Sequence, residues 1–150
     1  MKKDMTVLPE RTVYDDPDYP VKTEFLRFTD SSRYSATPHL HVDLEFLFVC
    51  QGTLLVHVDG ETLELQEGHG AYIGSRKLHF LVPAKKEDCC FIRILFHPVL
   101  LGLHSVIDKK YVWPLRTSLS FMRLTPEVSW QKDILNKQGP AENHLQVLSL

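Results

Sequence analysis

The architecture of this chain depends on residues 39–52, which read HLHVDLEFLFVCQG from His39 to Gly52. The run from Phe46 to Val49 consists of strong strand formers, and Gln51-Gly52 offers a turn. In an extended strand, successive side chains point to opposite faces. We therefore expect one face to carry His39, His41, Asp43, Glu45, Leu47 and Val49.

The opposite face of this predicted strand is entirely apolar. It carries Leu40, Val42, Leu44, Phe46 and Phe48. Both faces then need to be covered, and a strand that is buried on both faces is a central strand rather than an edge strand.

An Asp-Gly pair predicts the next hairpin, between strands 53–58 and 61–65. Asp59-Gly60 between two alternating runs is a strong hairpin signal, because both turn positions require positive φ. A two-residue loop pairs Val58 with Glu61 and Val56 with Leu63.

The same reasoning applied to Gln51-Gly52 predicts a three-stranded antiparallel sheet. In that sheet the apolar face of the hairpin continues through Leu47 to Glu45. By parity, His41 and His39 lie on the same face. The polar candidates should therefore face the core rather than the solvent.

Further strands are predicted at 21–29, 71–73, 78–82 and 89–96. Short strands at close spacing, separated by turn signals, favour an all-β sandwich or barrel. After residue 98 the apolar period becomes helical. It predicts helices from 99 to about 107, from 125 to about 138 with Thr125 as the cap, and from 141 onward. The last helix has no stop signal, so we expect a longer protein that is cut here; a frayed native terminus is the alternative.

Composition excludes several classes of protein. The chain has 150 residues, 43% hydrophobic and 24% charged, which suits one domain with a substantial core. A net charge of −2 provides no basic surface for nucleic acid. We find neither a membrane-spanning run nor a signal peptide, and the three cysteines lack metal-binding spacing. These features predict a cytoplasmic protein with reduced thiols and no membrane partner.

The motifs resemble those of a known family. His39, His41, Glu45 and Gly52 follow the first cupin motif, and His79 stands where the second motif has its histidine. With the tail around Trp113-Pro114 and Trp130, residues 21–138 resemble the N-terminal cupin domain of AraC-family transcriptional regulators. The sequence departs from the metal-binding pattern at three places: Arg33 replaces a glycine, Pro83 an asparagine, and Gly74-Ser75-Arg76 a turn containing proline.

The resemblance implies a mainly β fold, a cupin-type antiparallel β-barrel (a double-stranded β-helix or jelly roll) followed by C-terminal α-helices. We expect an N-terminal arm at 1–20, the barrel at 21–98, and a helical linker or dimerisation segment at 99–150. The arm is either a disordered leader or a segment that folds over a pocket. The family binds a small-molecule effector, forms homodimers, and contacts DNA through a C-terminal domain that this chain lacks.

Three interpretations of His39, His41, Glu45 and His79 remain open. They could hold a divalent transition metal such as Zn, Ni, Fe or Mn. They could instead bind a polar effector such as a sugar without a metal, or simply satisfy one another in the core. Tyr19 of the arm and Arg33 are further candidate ligand-binding residues.

The predicted function is effector sensing and dimerisation in a transcriptional regulator, without catalysis. The alternative is a standalone metal-dependent cupin enzyme, an oxygenase or isomerase, in which Tyr72 or Arg93 would act as acid or base. The predicted dimer contact is an apolar stripe at helical spacing: Val128, Ile134, Leu135, Leu145 and Leu148. That stripe could equally pack on the outer face of the barrel.

Overall fold

The computed structural model describes residues 7–29, 37–85, 88–101, 106 and 108–138. In this part of the chain, ten strands form two five-stranded sheets. The strands are β1 (Leu8–Pro9), β2 (Val21–Phe28), β3 (His39–Leu40), β4 (Leu44–Gln51), β5 (Leu54–Val58), β6 (Glu61–Leu65), β7 (Gly70–Ile73), β8 (His79–Pro83), β9 (Cys89–Phe96) and β10 (Phe121–Leu124).

The two sheets pack face to face. Sheet A has the strand order β1-β3-β8-β5-β6, and sheet B has the order β10-β7-β4-β9-β2. Neighbouring strands are antiparallel except for β1 and β3, which are parallel. The predicted mainly β jelly roll is confirmed, although the described strands form a sandwich of two sheets rather than a closed barrel.

The core lies between the sheets, and both contribute to it. A single cluster of buried residues includes Leu47 and Val49 from sheet B and Leu54, Val56 and Leu81 from sheet A. Apolar side chains on alternating positions of both sheets therefore meet in one hydrophobic layer.

The predicted three-stranded sheet is wrong, because the chain changes sheets twice. The predicted strand 39–49 is broken at residues 41–43, so that β3 lies in sheet A and β4 in sheet B. The chain returns to sheet A at residues 52–53, and β4 does not pair with β5. Leu47 and Leu54 are nevertheless buried in the core as predicted. The alternation of side chains points them inward whether their strands share one sheet or lie in two sheets that face each other.

The second predicted hairpin is confirmed. β5 and β6 pair Val58 with Glu61 and Val56 with Leu63, as the Asp59-Gly60 turn predicts. Both turn residues have positive φ, 46° at Asp59 and 87° at Gly60. The turn chemistry alone was sufficient to fix this register.

Gly52 is required at the crossing from sheet B to sheet A. Its φ is +77°, and a Cβ there would lie 2.7 Å from the backbone oxygen of Asp88. Gly60 has a similar φ of +87°, but nothing lies within 4 Å of its Cβ position. Gly60→Ala is thus expected to cost only the left-handed strain, about 1–2 kcal/mol. Gly52→Ala should cost about 1–3 kcal/mol more because of the clash.

Urea denaturation of the two alanine variants measures this difference in the free energy of unfolding. Equal losses for Gly52→Ala and Gly60→Ala would contradict the close approach to Asp88.

The segment after β9 differs in part from the predicted helices. A short 3₁₀ helix covers Pro98–Leu100, and a π-helical segment at Asp108–Val112 leads into α1 (Trp113–Thr117). Residues 102–105 and 107 of the first predicted helix lie outside the described residues, as does the helix predicted from 141 onward. Every helix in the described part of the chain is too short or too polar to span a bilayer.

Two elements near the end of the described chain differ from the prediction. The sequence analysis missed β10, which pairs with β7 at the edge of sheet B. The helix predicted from Thr125 is α2 (Ser129–Gln138), which begins four residues later. Residues 126–128 form a turn instead, and the Thr125 N–H donates to the side-chain oxygen of Gln131 at 2.8 Å.

Candidate metal centre and adjoining cavity

Four predicted ligand residues converge between the two sheets. His39 and His79 are directly opposed partners in sheet A, and Glu45 lies on β4 of sheet B. His41 lies in the corner between β3 and β4. One donor atom from each of these residues lies within 4.8 Å of those from the other three. The change of sheet after β3 therefore creates the cluster.

Backbone carbonyls fix the three imidazole rings in one tautomer. The Nδ1 atoms of the histidines lie close to carbonyl oxygens as follows: His39 to Thr37 at 2.9 Å, His41 to Asp43 at 3.1 Å and His79 to Lys77 at 2.8 Å. A carbonyl oxygen only accepts hydrogen bonds, so each Nδ1 carries the proton. Each neutral ring then keeps its Nε2 lone pair free, which is how histidine is held in metal sites.

Glu45 occupies the centre of the cluster and is incompletely satisfied. Its Oε2 atom lies 2.9 Å from His41 Nε2 and 3.2 Å from His79 Nε2. Its Oε1 atom is buried without a hydrogen-bond partner in the described structure. Neutral rings would direct lone pairs at this carboxylate, so the arrangement requires either protons on the imidazoles or a cation between the groups. The residues present therefore fit a divalent metal.

Burial makes charge compensation in the cluster important. The exposed fraction is 0% for Glu45, 2% for His41 and 1% for His79. An uncompensated carboxylate in such a position costs several kcal/mol.

The pKa shifts follow from the same contacts. Burial would raise the pKa of Glu45, but His41 and His79 hold that pKa far below its usual range through hydrogen bonds and charge. Burial would lower the pKa of His79, but Glu45 raises it overall. Burial and the neighbouring His79 lower the pKa of His39. Near neutral pH, Glu45 is therefore an anion and His39 is a neutral imidazole.

A cavity of about 540 Å³ adjoins the cluster at His39. This volume lies within the range of about 300–1,000 Å³ that is typical of small-molecule sites. The residues that line the cavity are Glu10, Glu24, Leu26, Arg27, Phe28, Thr37, Pro38, His39, Leu81, Phe91 and Arg93.

An ion-pair network crosses the charged wall of this cavity. Glu24 and Arg93 are cross-strand partners in sheet B, and Arg93 Nε donates to Glu24 Oε2 at 2.9 Å. The Nη2 atom of Arg93 donates to the same oxygen, and Lys22 Nζ lies 3.1 Å from Glu24 Oε1. Glu24 thus links two cations beside the candidate metal centre.

The described part of the arm packs against the cluster. β1 pairs with β3, and Glu10 Oε2 lies 3.3 Å from His39 Nε2. The hydroxyls of Thr12 and Tyr14 donate to the buried carboxylate of Asp43. Asp43 therefore fastens the arm to the corner through hydrogen bonds.

Tyr19 and Arg33 are the other two predicted site residues. Tyr19 is 62% exposed and does not line the cavity. Arg33 lies outside the described residues. Their roles stay predictions.

Sequence reasoning missed Glu10 and Glu24 and considered Arg93 only as an enzyme residue. The opposite charges of Glu24 and Arg93 were visible, but only the pairing of two distant strands reveals that they meet. No local signal identified Glu10, whose position depends on the pairing of β1 with β3.

Comparisons with known proteins agree with this geometry. Residues 29–95 match the family model described as Cupin domain. The uncharacterized HTH-type transcriptional regulator YdeC of Bacillus subtilis (strain 168) is 29% identical over 100 residues, which cover 65% of this chain and 34% of that protein. The matched segment thus spans about one third of that relative's length.

Two solved structures from Vibrio cholerae are similar to parts of this chain. ToxT from Vibrio cholerae superposes with a TM-score of 0.54 at 10% identity, over 82% of this chain and 49% of that one. An HTH_3 family transcriptional regulator from Vibrio cholerae gives a TM-score of 0.46 at 22% identity, over 54% and 45% of the two chains. At such identities a structural likeness concerns the fold alone. The match to the cupin family model over residues 29–95 agrees with the two packed sheets and the converging histidines.

Proposed function

We propose that this chain is the effector-sensing part of a transcriptional regulator that acts in the cytoplasm. In this proposal the effector binds in the cavity, beside a divalent metal held by His39, His41, Glu45 and His79. DNA binding would belong to a domain outside residues 1–150. The similarity to an HTH-type regulator supports the regulatory role. The observation that carries the metal site is the buried Glu45 carboxylate: its Oε2 lies 2.9 Å and 3.2 Å from the Nε2 atoms of His41 and His79, and its Oε1 has no hydrogen-bond partner among the described residues.

The donor set indicates which metals would bind. Three imidazole nitrogens and one carboxylate suit Zn, Ni, Fe or Mn, whereas Mg and Ca prefer oxygen ligands. The bound metal would supply a Lewis-acidic centre next to the cavity. The protein contributes the fixed Nδ1–H tautomers and the dry surroundings of Glu45.

Thermal unfolding tests the metal site directly. Addition of Zn²⁺, Ni²⁺ or Mn²⁺ in excess is expected to stabilise the folded protein, by about 2.7 kcal/mol at 100 times the dissociation constant. Mg²⁺ should have little effect, and a chelator should reverse the stabilisation.

A histidine outside the cluster provides the matched control. His57 stacks on Phe80 and hydrogen-bonds to Thr62, so His57→Ala should respond to metal as the wild type does. The double variant His41→Ala/His79→Ala should lose the response. If none of these metals stabilises the wild type, or if the double variant is still stabilised, the proposed metal site is wrong.

The enzyme alternative has less support from the geometry. The hydroxyl of Tyr72 donates to the Leu115 carbonyl at 2.8 Å, and Tyr72 does not line the cavity. The charge of Arg93 is already paired with Glu24. A sensor should also release its effector chemically unchanged after incubation with the metal-loaded protein.

Homodimer formation remains part of the proposal. Leu135 of the predicted stripe is 3% exposed, and it lies so close to Gly70 that a Cβ there would clash with it. Leu135 therefore packs on sheet B of its own chain. Val128 is exposed and available to a partner, and Leu145 and Leu148 lie outside the described residues.

A further inference from the structure

The cavity beside the candidate metal centre has two chemically different walls. The apolar wall consists of Leu26, Phe28, Leu81 and Phe91. The ring centroids of Phe28 and Phe91 are 5.4 Å apart. The other wall presents charged groups and His39. A sugar that filled this cavity would place several hydroxyls against the apolar wall, where they would lose their hydrogen bonds to water without replacement. This division favours an amphipathic ligand.

The balance of charge indicates the sign of the ligand's polar end. Three carboxylates lie at the cavity and cluster, against two cations: Glu10, Glu24 and Glu45 against Lys22 and Arg93. The guanidinium of Arg27 is not counted, because its Nε atom donates to the Cys90 sulfur on the other side of the sheet at 3.2 Å. With the imidazoles neutral, as metal binding requires, these groups leave one net negative charge without Arg27 and none with it. A divalent metal makes the net charge positive in both cases.

Arg93 has a hydrogen-bond donor that is available to an anion. Its Nε and Nη2 atoms donate to Glu24, whereas its Nη1 atom has no hydrogen-bond partner among the described residues. The side chain lines the cavity and is 15% exposed. Glu24 fixes the guanidinium in place, and a positioned guanidinium recognises carboxylates well.

We propose that the ligand is a monocarboxylate with a compact apolar body. Its carboxylate lies at the end formed by Arg93 and the metal, and its body packs against Phe28, Leu81 and Phe91. This inference rests on the metal site of the proposed function, because the charge balance favours an anion only when the metal is bound.

Matched probe pairs test the proposal by calorimetric titration of the Zn²⁺-loaded wild type. Benzoate is compared with benzamide and hexanoate with hexanamide, so that each pair keeps the apolar body and changes only the charge. At least one carboxylate is expected to bind about tenfold or more tightly than its amide. The preferred pair then shows whether the body is aromatic or aliphatic. Glucose is expected not to bind. An amide that binds as well as its carboxylate, or binding of glucose alone, would overturn the proposal.

A charge-neutral double variant tests the role of Arg93. Arg93→Gln combined with Glu24→Gln removes one positive and one negative charge, so the net charge of the wall is unchanged, and Lys22 loses its contact with Glu24. The preference for the carboxylate over the amide should fall about tenfold or more, and Zn²⁺ affinity should stay within about threefold of the wild type. Glu64→Gln, on the exposed face of β6, is the control and should change neither. If the double variant does not fold, Arg93→Lys should lower the preference, because an ammonium keeps the charge but lacks the fixed planar geometry of the guanidinium.

Measuring Zn²⁺ affinity first separates this inference from the proposed function. If Zn²⁺ does not bind, the metal site of the proposed function is wrong. If Zn²⁺ binds but neither carboxylate does, the inference about the ligand is wrong and the metal site stands. The metal-free protein should bind benzoate and hexanoate about tenfold or more weakly than the Zn²⁺-loaded protein. Equal binding to both forms would overturn the charge argument.

Discussion

Replacing Glu45 with glutamine is expected to lower the affinity for Zn²⁺ by at least about 100-fold, because removal of groups that merely support metal ligands already costs 10- to 100-fold. The substitution removes the anion at the centre of the cluster and keeps the size of the side chain. In the metal-free protein, the new amide can donate to the Nε2 lone pairs of His41 or His79, which face this position. The variant should therefore stay folded, and the loss should be confined to metal binding.

Competition with a chromophoric chelator measures this loss of affinity. Glu64→Gln removes the same charge from an exposed position on β6 and serves as the control, with an affinity equal to that of the wild type. If Glu45→Gln binds Zn²⁺ within threefold of the wild type, Glu45 is not a ligand. The metal would then be held without this carboxylate, by the three histidines or at another site.

Leu47→Ala is expected to lower the free energy of unfolding by about 2–5 kcal/mol. Leu47 is 0% exposed on β4, the central strand of sheet B, and belongs to the cluster of core residues between the sheets. Its cross-strand partner Ala71 is too small to fill the space that the substitution leaves. The cavity should therefore persist, and the loss should lie in the upper part of this range.

Urea denaturation with a second leucine variant tests the assignment of the core. Leu63 lies on the edge strand β6 and is only partly buried. Leu63→Ala should therefore cost clearly less than Leu47→Ala, because water can refill the vacated space. Equal losses would show that β4 does not occupy the centre of the packing.

Local patterns in the sequence were sufficient to predict most strands and the inward orientation of the candidate ligands. The period of two along residues 39–49 set the parity of His41 and Glu45, and both are buried as expected. The Asp59-Gly60 turn fixed a register within one hairpin. Such features depend on neighbours in sequence, so they can be read without knowledge of the tertiary structure.

The features that the sequence did not reveal depend on contacts between distant segments. The polar and apolar alternation of β4 and β5 is the same whether the two strands share a sheet or face each other across a core. The short strand β10 carries too few residues to show a period, and it exists because β7 offers it a partner. The pairing of Glu24 with Arg93 and the approach of Glu10 to His39 likewise depend on strand pairing across the chain.

The donor atoms of the candidate metal centre come from two different sheets, so the site depends on the two sheets staying together. His39 and His79 belong to sheet A and Glu45 to sheet B, so neither sheet alone contains the whole set. Any fluctuation that separates the layers removes the site at once, and fraying within a single layer leaves the donors of the other in place. Metal occupancy would then be a measure of how tightly the two layers stay closed, and a bound ion would suppress the rare open conformations.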